Sequence, residues 1–156
     1  MQAPILDEHL WLTALVGVWS FESTCNMGPD QPPMTSKGRE IGRSLGGIWI
    51  VCESEGDMQG QTMNSLMTLG YDPTRGRYVG TWIGSPMTSM FVYEGVRAGG
   101  VLPLETVGPS FDDPSKTSRY QDVIEVIGPN ERTLTSRLAL SDGSWRQFMK
   151  ATYKRV

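Results

Sequence analysis

Histidine and cysteine are nearly absent from these 156 residues, with one of the former and two of the latter. The common His-rich and Cys-rich metal sites therefore cannot be assembled within one chain, and no disulfide scaffold is expected. Cys25 and Cys52 read as free thiols in a domain large enough to own a hydrophobic core. No apolar run reaches the length of a membrane-spanning helix. The opening segment has no basic n-region and carries Asp7, Glu8 and His9 within its apolar part, which argues against a signal peptide and makes a cytoplasmic protein the expectation. One-signed charge blocks are missing too: 14 basic and 17 acidic residues, mixed along the chain, give a net charge of -3. A polyanion-binding face is not expected, so neither nucleic acid nor membrane is an expected partner.

Glycine is plentiful, with 18 residues against an ordinary share of about 7%. Tight turns are the expected use. Residues 1–156 read as a single domain that opens with a short helix, Pro4 to Val16, with Ile5, His9, Leu12 and Val16 on one stripe. Gly17 can end it. The period then switches to two, with Trp19, Phe21 and Ser23 facing one way, and a long connection follows from Asn26 to Lys37. Further strands are predicted at Arg39–Leu45, Ile48–Glu55, Thr62–Tyr71, Arg77–Ser85, Ser89–Val96, Val101–Thr106, Ser118–Ile127, Thr133–Leu140 and Trp145–Arg155. Short turn signals such as Asp72-Pro73-Thr74-Arg75-Gly76 and Asp142-Gly143 separate them. The class is all-β, roughly ten-stranded and antiparallel. Closure into a barrel removes the exposed edges and places the helix at one end, with a two-layer sandwich as the alternative.

The spaced marks resemble a known family. His9-x-x-Leu12-x-x-Leu15-x-Gly17-x-Trp19 is similar to the opening of the domain-of-unknown-function family numbered 1579, which sits with the lipocalin-like, calycin-like barrels. Gly46-Gly47, Gly70-Tyr71-Asp72-Pro73, Gly76-x-Tyr78-x-x-x-Trp82, Glu94-Gly95 and Thr152-Tyr153-x-Arg155 follow in family order. The resemblance implies an antiparallel barrel whose helix borders one end and whose interior can hold a small apolar ligand. It also implies that Arg155 packs on Trp19, a cation-π contact of about 0.5–2 kcal/mol. Trp82-Ile83-Gly84 and Glu94-Gly95-Val96-Arg97-Ala98 depart from the family pattern by lacking an aspartate, and Ser144-Trp145 after Asp142-Gly143 lacks an acidic residue. An acid or metal role tied to those carboxylates is not expected here.

No catalytic residue, metal ligand or cofactor is assigned. His9, on the helix stripe, reads as an anchor over the barrel end through a hydrogen bond. Met63, Met67 and Met90, with Met87 at a strand entrance, form a methionine-rich face to which Trp49 and Trp82 add aromatic walls if they turn inward. That face either fills an irregular core or lines an adaptable pocket. Arg43 and Glu53 flank the Gly46-Gly47 bend and, facing inward, would form a salt bridge or orient a ligand's polar end, with Tyr93 as another polar tip. The candidate ligand-binding set is thus Arg43, Trp49, Glu53, Met63, Met67, Trp82, Met90 and Tyr93. The leading function is binding of a small hydrophobic molecule inside the barrel. The alternatives are a small enzyme acting on a hydrophobic metabolite, or a structural or interaction protein, with Trp11 as an interface anchor of a homo-oligomer.

Overall fold

A computed structural model describes residues 1–156. Helix α1 (Asp7–Leu12) runs into a 3-10 turn (Thr13–Leu15), and ten strands follow. These are β1 (Gly17–Cys25), β2 (Met34–Leu45), β3 (Trp49–Met58), β4 (Gln61–Asp72), β5 (Arg77–Gly84), β6 (Phe91–Gly95), β7 (Val101–Pro109), β8 (Thr117–Gly128), β9 (Glu131–Ala139) and β10 (Trp145–Arg155). Each strand pairs antiparallel with its neighbour in sequence, and β1 also pairs with β10, with Trp19 opposite Arg155, so the sheet is a closed barrel. Closure leaves no unpaired edge. No helix is long and apolar enough to cross a membrane.

The hairpin turns follow from local chemistry. Gly46 and Gly47 both sit at positive φ, 66° and 80°, a conformation that L side chains resist and that tight hairpins need. Asp72 Oδ1 accepts the backbone N–H groups of Thr74 and Arg75, and Asp142 Oδ1 does the same for Ser144.

The helix is shorter than its sequence stripe. Leu6 is extended, with φ -102° and ψ 169°, and its N–H donates to His9 Nδ1 at 2.9 Å, so α1 starts after it and leaves Pro4 outside. The connection after β1 is also shorter than expected. It ends at Pro33, because Met34, Ser36, Gly38 and Glu40 already alternate as the inner face of β2. In the other direction, β6 begins at Phe91 instead of Ser89, leaving Met90 in the preceding loop.

Leu12 and Leu15 are fully buried and seal one end against Ile50, Cys52, Leu69, Tyr78, Leu102, Leu104 and Ile124. Burying each leucine is worth about 1.5–3 kcal/mol. Gly42 makes room for this plug: a Cβ there would stand 2.1 Å from the Leu15 carbonyl oxygen. His9 fastens it, since the ring atom Nε2 lies 3.1 Å from the Tyr71 carbonyl oxygen and Nδ1 accepts from Leu6. The imidazole is therefore the Nε2–H tautomer and serves as the expected anchor. Trp11 is half-buried, packing edge-on to Tyr78 at 5.8 Å with the Arg97 guanidinium 5.0 Å from its ring centroid.

The closure contact between the two chain ends is also present. The Arg155 guanidinium lies 4.3 Å from the Trp19 ring centroid and donates to the carbonyls of Val16 and Pro129, while the Trp19 indole N–H donates to Leu15 O.

Candidate functional site

Away from the plug, the barrel interior opens into a chamber of about 680 Å³. The inner faces of all ten strands turn toward it, and the loops 85–90 and 110–116 frame it. Its walls are aromatic and sulfur-bearing: Phe21, Trp82, Phe91, Tyr120 and Phe148 supply rings, and Met34, Met58, Met63 and Met149 supply flexible side chains. The register of β10 against β9 shifts between Gln147 and Met149, so the bulged Phe148 turns toward the chamber beside Met149. The rings of Phe111, Tyr120 and Phe148 then meet, with Phe111 and Phe148 4.9 Å apart edge to face.

A layer of polar groups separates chamber from plug. Glu40 and Arg132, both buried, form an ion pair, and Ser54 Oγ donates to the second Glu40 oxygen at 2.7 Å. The Arg132 guanidinium is held between rings, 3.9 Å from the Tyr153 centroid and 4.9 Å from that of Trp19. On the chamber wall stands a carboxyl with no cation partner. Asp122 receives hydrogen bonds from the Tyr93 hydroxyl and, at 2.6 Å, from Ser136 Oγ. It lies deep in the barrel, yet part of its surface opens onto the chamber.

Burial raises the Asp122 carboxyl above the ordinary carboxylate range, and the Ser136 and Tyr93 hydrogen bonds act in the opposite direction. Burial likewise pushes the Tyr93 phenol up, with the neighbouring Asp122 adding to the effect. Tyr153 and Cys52 are also raised, first by burial and then by Glu40. The Tyr93 and Tyr153 phenols and the Cys52 thiol stay neutral near pH 7 and act as hydrogen-bonding or packing elements, not as nucleophiles.

The sequence-predicted set divides in two. Met63, Trp82 and Tyr93 face the chamber, and Met67 faces inward one layer deeper, on a small void of about 30 Å³ beside Arg132. Arg43, Glu53, Trp49 and Met90 face outward. Arg43 and Glu53 do pair, at 3.4 Å, but on the outer surface with side chains 56% and 61% exposed. Gly42 must lie under the plug and Cys52 belongs to the core, so their neighbours Arg43 and Glu53 point to solvent. Trp49 lies on the outside against Gly70, where a Cβ would come within 2.4 Å of the indole. Met90, 60% exposed, precedes β6, while Met87 lies on the chamber rim.

Sequence reasoning missed Asp122 and the Glu40–Arg132 pair. Asp122 shares its inward parity with Tyr120 and Ile124 on β8, which was the available signal. Glu40 and Arg132 are 92 residues apart, and no local pattern joins them.

The family model described as "Protein of unknown function (DUF1579)" matches residues 5–155. No curated protein matches the sequence. Solved structures share the architecture at low identity. Rv2717c from M. tuberculosis is 15% identical with a TM-score of 0.64, over 100% of this chain and 99% of that one. The S-type phycobiliprotein lyase CPES from Guillardia theta is 15% identical with a TM-score of 0.60, over 96% of this chain and 92% of that one. EF1p2_mFAP2b, in a structure bound to DFHBI, is 12% identical with a TM-score of 0.53, over 96% and 99%. At these identities the likeness shows the fold.

Proposed function

The chain belongs to the DUF1579 family, and we propose that it binds a small, largely apolar molecule inside its barrel. The carrying observation is the chamber: about 680 Å³, open at one end, sealed by the helix at the other, and walled by rings and methionines. Ligand sites commonly occupy about 300–1,000 Å³ and combine apolar walls with a few placed polar groups. Here Tyr93, Asp122 and Ser136 provide the polar groups. Met63, Trp82 and Tyr93 are the members of the sequence-predicted set that would touch the ligand, and Phe21, Phe91 and Phe148 join them. The methionines let the wall adapt to its occupant. The structural likeness to a barrel bound to DFHBI supports this use of the architecture.

Nile red, a neutral fluorophore whose emission rises and shifts blue in apolar surroundings, tests the proposal. Saturable binding is expected in the wild-type protein. Ser65, on the inner face of β4, borders the chamber. Ser65→Trp should fill that space and abolish the signal while circular dichroism still reports a folded barrel. A wild-type protein that gives no saturable signal would overturn the proposal. Native mass spectrometry of gently purified protein should also show a retained organic compound.

A further inference from the structure

We propose that the chamber selects apolar molecules that carry a basic nitrogen, seats that nitrogen on Asp122, and discriminates against carboxylic acids. This rests on the ligand-binding reading above and adds to it the sign of the ligand's charge.

No lysine, arginine or histidine lines the chamber. Its ionisable side chains are Asp122, the phenols of Tyr93, Tyr120 and Tyr153, and the Cys25 thiol, all of which become negative when they ionise. The buried Arg132 is not available to an anionic ligand, and Arg146, whose Nε is buried without a partner, is not among the chamber-lining residues. Arg132 is spent on Glu40 and enclosed by the Trp19 and Tyr153 rings, so that buried pair is neutral as a unit. A carboxylate entering the chamber would lose its hydration and find no positive partner, with Asp122 facing it.

The same wall suits a cation. Each Asp122 oxygen accepts one protein hydrogen bond, from Tyr93 or from Ser136, and a carboxylate oxygen has room for a second. Ser36 and Thr106, 7% and 6% exposed, also line the chamber, and their buried hydroxyls make no competing hydrogen bond to Asp122. Ring faces around the chamber favour positive charge through their quadrupoles. A buried carboxyl without a cation is also the group that gains most from one, because its opposite charge is missing from the protein itself. Burial already raises Asp122, and an ammonium ligand would favour its charged form.

Competition against bound Nile red by decylamine, decanol and decanoate, which share one chain and differ in headgroup, separates this inference from the reading beneath it. Decylamine is expected to displace the dye at a concentration about tenfold lower than decanoate, with decanol between them. In Asp122→Asn, which keeps the side-chain shape and removes the charge, the decylamine-to-decanol ratio should fall to near one. Equal competition by decanoate and decylamine in the wild-type protein overturns the charge preference and leaves the binding chamber standing. An unchanged amine-to-alcohol ratio in Asp122→Asn overturns the seat assigned to that residue. Absence of any Nile red binding overturns both readings. The wild-type series decides the charge preference even if the variant fails to fold.

Discussion

Arg132 shows what a single residue controls in this interior. Its guanidinium is 1% exposed, pairs with Glu40 and stacks between two rings, so it joins β9, β2, β1 and β10 through one group. Removing it leaves Glu40 buried with no cation, beside only the Ser54 hydroxyl and the Cys52 thiol. Arg132→Met is therefore expected to cost about 3–5 kcal/mol in urea unfolding, whereas Glu40→Leu combined with Arg132→Met should recover most of that loss. A single variant that unfolds at the wild-type urea midpoint would show that the pair is not a structural anchor. The sequence suggests a salt bridge near the first glycine hairpin, and there is one there, between Arg43 and Glu53, but it lies in water. Exposed pairs of that kind contribute about 0–1 kcal/mol. The bridge that matters structurally starts from the opposite face of β2, at Glu40, and reaches Arg132 on β9, far along the chain.

At the level of elements, period is legible in sequence and direction is not. Alternation along β2 groups Arg43 with Ile41 and Leu45, and the structure keeps that grouping. The apolar pair suggests that this face turns inward, yet Ile41 and Leu45 are 55% and 54% exposed. The inner face is decided by a contact between elements, the approach of the 3-10 turn to Gly42, which no strand-level pattern contains. On β4 and β5 the bulky alternating residues do face inward, so Met63, Met67 and Trp82 were recoverable. The helix was recoverable in kind, though not in length, because its start is fixed by the His9 side chain bonding back to Leu6. Plug and chamber should respond differently to truncation. Leu12 is fully enclosed, so Leu12→Ala leaves a cavity and should cost about 2–5 kcal/mol. Met63, on the open chamber, has empty space on one side, and Met63→Ala should cost less than about 1 kcal/mol while weakening Nile red binding. Equal losses in urea midpoint for the two variants would contradict the division into a packed half and an open half.

The whole molecule joins a packed half that holds the fold to an open half that holds a carboxyl without a cation. Asp122 therefore links binding to global stability. Its carboxyl is raised by burial, so between the ordinary aspartate value, about 3.9, and its raised native value the folded state binds more protons than the unfolded chain. The contribution of this residue to stability then falls as pH climbs through that window and is constant above it. Asp122→Asn removes the titration, and its amide can still meet Ser136 and Tyr93. Relative to wild type, the variant should gain stability as pH rises above about 4, measured as the difference between their urea midpoints at each pH, which cancels the titrations they share. A pH-independent difference would show that burial does not penalise the charged carboxylate. Saturating decylamine supplies the absent cation and should narrow the gap at pH 7 by stabilising the wild type more than the variant, as expected for a ligand that binds the native state and pairs with this side chain.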